Sequence, residues 1–225
     1  MKNNKVFALI YRGFFMLLAL SGILVSTKVF LPTFNPNTFL YYTTQSNILV
    51  LTFFTYLLIK TLVDIKKHGL KGEASYAPKL SFIIMVNIII TFLVFWVLLA
   101  PATLHTNYNL LSYSNLIVHT TTPLAMVGEY FFFNRKQKID LKNVFEALIF
   151  PLFYMVLSLV LGAFKLVEYV GVGLIPETSY FPYYFLDFYK HGALILIYIF
   201  GISVFVVAIS LGLFYLNKRK MSHIA

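Results

Sequence analysis

Two stretches place reactive side chains inside otherwise apolar runs. They are Tyr41-Tyr42-Thr43-Thr44-Gln45-Ser46-Asn47 and Asn115-Leu116-Ile117-Val118-His119-Thr120-Thr121-Thr122-Pro123. A threonine hydroxyl is a poor nucleophile until a base takes its proton, and a neutral imidazole suits that task near neutral pH. Thr43 and His119 therefore form a candidate nucleophile and base, on condition that the elements carrying them bring the two together. In the first stretch Thr43, Ser46 and Asn47 recur at i, i+3 and i+4, so they share one helical face. The duller account of that face is hydrogen bonding between membrane helices. In the second stretch Pro123 has no N–H, so the carbonyl of His119, four residues earlier, loses its helical partner and the helix kinks there. His119 bonded to a neighbouring carbonyl is the duller account here, but an ionisable residue within a span is a functional-site hypothesis by default. Asn47 or Gln45 is placed to donate to a developing oxyanion, a contact worth about 3 kcal/mol. Asp187 is the acid at similar depth for orienting the imidazole, with Lys190, three residues on, as its competing partner.

The elements that must carry these residues are membrane helices. Hydrophobic residues make up 60% of the 225 and charged residues 12%; soluble domains run at about 45–50% and about 25%. The apolar residues fall in runs of the length a helical span needs, and a helix satisfies its own backbone hydrogen bonds inside lipid. Six spans are predicted over about 6–30, 38–63, 80–100, 115–133, 147–167 and 191–216. Together they make one all-α polytopic membrane bundle over residues 1–225. The N-terminal run is longer than a signal-peptide core and lacks a small-x-small cleavage site, so it reads as a retained first span.

Lys and Arg alternate between the two sides of these spans. The N-terminus, the second-to-third and fourth-to-fifth loops and the C-terminus hold thirteen, and the other three connections hold Lys28, Lys165 and Lys190. By the positive-inside rule both termini are cytoplasmic, and Thr43 and His119 enter from outside, roughly 8 Å and 6 Å down their helices. The same alternation accounts for the net charge of +10 without a nucleic-acid partner. Tyr169, Tyr180, Phe181, Tyr183, Tyr184, Phe185, Phe188 and Tyr189 crowd the connection before the last span, as rings at the headgroup level do. Arg12 and Lys60, near inner helix ends, can snorkel to the headgroups, and Glu129 pairs with a nearby base such as Arg12. Asn87 reads as interhelical glue. His68 and His223 fall in basic solvent-facing segments, and His105 and His191 near the outer surface. There is no cysteine and no His-Glu cluster with ligand spacing, so neither a metal nor another cofactor is expected.

At three patches the chain resembles the androgen-induced-gene family of multi-span membrane proteins. These are Tyr42-Thr43-Thr44-Gln45-Ser46-Asn47, then His119-Thr120-Thr121 with Glu129 ten residues after the histidine, and Pro182-Tyr183-Tyr184-Phe185-Leu186-Asp187. The family includes threonine hydrolases that cleave fatty acid esters of hydroxy fatty acids. The resemblance implies an intramembrane hydrolase of lipid esters, with Thr43 at the family's nucleophile and His119 at its catalytic histidine; the adjacent Thr44 is the alternative nucleophile. Its partners would be membrane lipids and its place, in a bacterium, the cytoplasmic membrane. The rival class is a non-enzymatic protein that binds or moves a small hydrophobic molecule or ion, with Thr43, Asn47, Asn87 and His119 lining its cavity. A carrier is expected to show half-repeats, and none is evident.

Overall fold

The computed structural model describes residues 4–103, 108–134, 139–169 and 178–222, without the side chains of 218–222. His105 and His223, and Lys2, Arg135, Lys136 and Lys138 among the thirteen basic residues counted above, lie outside the described residues. The described chain is helical, with isolated bridges but no strand. Five helices are long and apolar enough to cross a membrane: α1 (Lys5–Thr27), α2 (Tyr42–His68), α3 (Pro78–Ala102), α5 (Leu141–Ala163) and α6 (Leu194–Asn217). Exposed Phe14, Leu17, Phe153, Ile197 and Phe200 give these helices the apolar outer surface of a membrane protein. Between α3 and α5 runs α4, residues 113–133, which is of similar length but diluted by polar residues.

Local chemistry sets the ends. Asn4 caps α1 by accepting from the Phe7 N–H at 2.9 Å, and Lys28 stops it in the left-handed region at φ 55°. The sequence reading starts the second span at 38, but Pro36 opens a separate 3-10 turn, Pro36–Leu40, and α2 begins only at Tyr42. Thr43 is therefore in the first turn of its helix, nearer the end than roughly 8 Å of helix would put it.

Two helices change pitch just before a proline. In α3 the turn Phe95–Leu99 is π-helical ahead of Pro101, and in α4 the turn Ile117–Thr121 is π-helical ahead of Pro123. The missing proline N–H is absorbed by this wider register, in which the Thr122 N–H reaches back five residues to the Ile117 carbonyl.

The core is built on α3, with 56% of its most apolar stretch buried against 17% for α6. Phe82, Met85, Val86 and Ile88 of α3 pack with Val50 and Phe54 of α2 and Met126 of α4. Asn87 ties three helices together. It accepts from the Tyr42 hydroxyl at 3.1 Å and donates to the Ile83 and Ala147 carbonyls at 2.8 and 3.3 Å. Gly22 lets α1 approach the π-turn of α4 closely, since a Cβ there would collide with Ile117.

Arg12 does not snorkel: it is fully buried. Its guanidinium donates to the Glu129 carboxylate, to Thr61 Oγ1 at 2.6 Å and to the Ala74 carbonyl at 2.7 Å, and it lies over the rings of Tyr76 and Phe133. This network joins α1, α2 and α4 at the His68 end of the bundle, far from Thr43. Removing one member of a buried pair strands the other charge at a cost of about 3–5 kcal/mol, whereas replacing both with apolar side chains is often close to neutral. Glu129→Ala is therefore expected to lower the unfolding temperature in detergent sharply, and Arg12→Met with Glu129→Leu to recover most of the loss.

Candidate active site

Thr43 and His119 meet. The Thr43 hydroxyl lies 3.3 Å from His119 Nε2, across the contact between the first turn of α2 and the π-turn of α4. The imidazole is held on its other side by the Asn115 carbonyl, 3.2 Å from Nδ1. A carbonyl only accepts, so Nδ1 carries the proton and Nε2 is the acceptor that faces the hydroxyl. Phe95, from the π-turn of α3, stacks on the imidazole with ring centres 3.7 Å apart and planes 16° from parallel. Both irregular turns thus converge on one ring and fix its plane.

The supporting residues take different roles from those read in the sequence. Asn47 spends its amide protons on the Thr43 carbonyl at 2.8 Å and the Val118 carbonyl at 3.0 Å, so it has none left for an oxyanion. It acts instead as the strut between α2 and the π-turn, and the Val118 carbonyl it serves lies five residues before Pro123. Gln45 stands two residues beyond Thr43, which turns it about 200° around a 3.6-residue helix, and it lines neither cavity described below. Asp187 does not reach the imidazole. It is buried and accepts from Ser179 Oγ at 3.0 Å and from the Lys190 N–H at 3.2 Å, capping the short helix Phe188–His191. Asp187 holds the aromatic connection in shape, and the orienting group for His119 is a backbone carbonyl.

Tyr183 is the neighbour the sequence reading missed as a functional side chain. It lines both cavities described below together with Thr43, and its phenol is close enough to Thr43, Tyr42 and Tyr154 to feel them electrostatically. Tyr42 and Thr43 open α2, where N–H groups have no partner within the helix and Tyr41 supplies no side-chain cap. Burial pushes the Tyr183 phenol above its ordinary value, against the opposing pull of neighbouring Thr43, Tyr42 and Tyr154, so it stays protonated at neutral pH. The ring of Tyr41 packs between Tyr169 and Tyr183, at 5.4 and 5.9 Å. Burial pushes the Tyr169 phenol up to about 12. The signals for Tyr183 in the sequence are the density of aromatic residues between 180 and 189 and the patch Pro182–Asp187, and neither distinguishes its hydroxyl from that of Tyr184.

Two cavities share this point. The larger, about 260 Å³, opens toward the Lys28 end and is lined by polar groups such as Ser26, Lys28, Asn35 and Asn37 together with Thr43 and His119. The smaller, about 90 Å³, runs between α3, α5 and α6 and is lined almost wholly by apolar side chains, including Val94, Met155 and Ile202. Thr43, Phe95, Leu99 and Tyr183 line both, so the threonine stands at the neck between a polar vestibule and an apolar chamber. Thr44 lines only the vestibule. Among the described residues no three His, Cys, Asp or Glu side chains converge as metal ligands would.

No family model, curated protein or solved structure matches the chain. Fold and site therefore define its class: an all-helical membrane protein with a threonine–histidine contact where a polar and an apolar cavity join.

Proposed function

We propose that the protein is an intramembrane lipid-ester hydrolase of the androgen-induced-gene type, with Thr43 as nucleophile and His119 as base. The observation that carries the reading is the 3.3 Å approach of Thr43 Oγ1 to the unprotonated Nε2 of His119 at the neck between the cavities. A lipid ester has an apolar acyl chain on one side of its carbonyl and a different group on the other, and the neck offers an environment for each.

Thr43 Oγ attacks the ester carbonyl while its proton passes to His119 Nε2. The tetrahedral intermediate collapses, the C–O bond to the leaving group breaks, and His119 returns the proton to the departing alkoxide oxygen. A water then attacks the acyl-threonine, giving its proton to His119, and the second collapse releases the fatty acid and reprotonates Thr43. Through both steps the oxyanion forms beside the Tyr183 O–H and the N-terminus of α2, where a donor and the positive end of a helix dipole favour negative charge.

Six spans with both termini cytoplasmic complete this reading. The Lys and Arg asymmetry supports that orientation, in which the vestibule lies beneath the external headgroups. Purified protein in detergent is expected to release fatty acid from a long-chain ester of a hydroxy fatty acid, in molar excess over protein. Tight retention of the intact ester without release would instead make the chain a lipid-binding protein, the use the same pair of cavities would serve without turnover.

A further inference from the structure

We propose that the apolar cavity between α3, α5 and α6 is an acyl-chain site entered sideways from the bilayer, with Met155, Ile202 and Ser203 setting the chain length accepted. The proposal rests on the reading that Thr43 attacks an ester carbonyl.

The cavity begins at Thr43 and Tyr183 and continues past Thr91 and Val94 of α3 to Ile199 through Val206 of α6. Seven residues of helix separate Ile199 from Val206, a depth of roughly 10 Å. Of its polar groups away from the neck, two hydroxyls are engaged and the buried Tyr154 hydroxyl has no hydrogen-bond partner among the described residues. The Ser203 hydroxyl donates to the Ile199 carbonyl at 2.7 Å, and Thr91 Oγ1 is bonded to Ser46 Oγ at 2.7 Å. What the chamber offers an occupant is therefore mostly apolar surface with a single free phenol, which suits a hydrocarbon chain better than an ion or a sugar.

The same cavity separates α5 from α6. Pro151, Leu152 and Met155 form one wall and Ile199, Ile202 and Ser203 the facing wall. Leu152 on that wall is 42% exposed, and Val204 and Phe205, next in sequence to the facing wall, are exposed as well. In the proposed site the gap between the two helices is the entrance from the lipid-facing side. A chain entering there can reach Thr43 without crossing the polar vestibule, so the leaving group and the acyl chain approach the neck from different directions. Specificity for chain length then lies in α5 and α6, and specificity for the leaving group in the vestibule.

The test uses two alkyl fluorophosphonates, one short and one long, on full-length protein in detergent. Thr43 Oγ forms the bond to phosphorus, fluoride departs, and the proton goes to His119. Ser203→Trp and Met155→Trp fill the chamber from opposite walls. Each is expected to lower the ratio of long-chain to short-chain labelling by about tenfold or more, the loss expected when a few buried methylenes are displaced. In parallel, a fatty acid with a photoreactive diazirine at its tail is irradiated with the unmodified protein. Its adducts are expected on α5 and α6 residues lining the chamber. Labelling by both probes with the ratio unchanged in both variants would overturn the acyl-chain site and leave the hydrolase standing. Adducts in the chamber without labelling by either probe would do the reverse. Adducts confined to the outer surface would overturn the site whatever the labelling.

Discussion

Thr43→Ala abolishes ester turnover, and His119→Ala lowers kcat by about 10²–10⁴-fold, the range a general base contributes. The two effects have separate causes. Without the Thr43 hydroxyl no acyl-enzyme forms. Without the imidazole the hydroxyl remains, but the nearest group able to take its proton, at 3.3 Å, is gone. Removing the ring also leaves a space against Phe95, bordering the vestibule. Added imidazole is therefore expected to restore part of the His119→Ala activity and none of the Thr43→Ala activity. Thr44→Ala is expected to change turnover far less than Thr43→Ala, because the histidine contact is made by Thr43. Steady-state kinetics on all three variants, with and without imidazole, checks these outcomes. Equal losses in Thr43→Ala and Thr44→Ala, with no rescue, would indicate that the polar patch only holds α2 and α4 together.

Tyr183→Phe lowers kcat by about 10²–10³-fold while leaving KM within a few-fold, the pattern of a donor that acts mainly on the oxyanion of the transition state. The ring remains to fill its place between the two cavities, and only the hydroxyl beside Thr43 is lost. A structural role for the hydroxyl, in capping the start of α2, would lower the unfolding temperature instead and move kcat and KM together. Measuring kcat, KM and thermal unfolding on the one variant separates the roles.

Apolar runs announced the helices, because lipid admits few alternatives for a backbone. Matched positions near helix starts made a meeting of Thr43 and His119 possible, and their 3.3 Å separation is a matter of three-dimensional packing that spacing alone does not give. Pro123 signalled an irregularity, but the carbonyl that loses its partner is that of His119 in an α-turn and that of Val118 in the π-turn found, where Thr122 reaches back to Ile117 and Asn47 serves the Val118 carbonyl. The change of role for Asn47 has the same origin, since its protons go to a carbonyl that pitch change exposes. Asp187 misled because a carboxylate near a helix start suits an N-cap as well as an imidazole, and Ser179 settles the competition locally. Arg12 misled because snorkelling is the usual answer for a basic residue near a helix end, whereas Glu129, Thr61 and the Ala74 carbonyl together satisfy it in the interior.

The most direct test of the Thr43–His119 pair is to locate the covalent bond. Wild-type protein is treated with a fluorophosphonate, digested, and its adduct assigned by mass spectrometry. The pair predicts a single phosphonylated residue, Thr43, and its disappearance in His119→Ala while the protein remains folded. An adduct on Thr44 or on another hydroxyl, or one on Thr43 that forms equally well without His119, would contradict it.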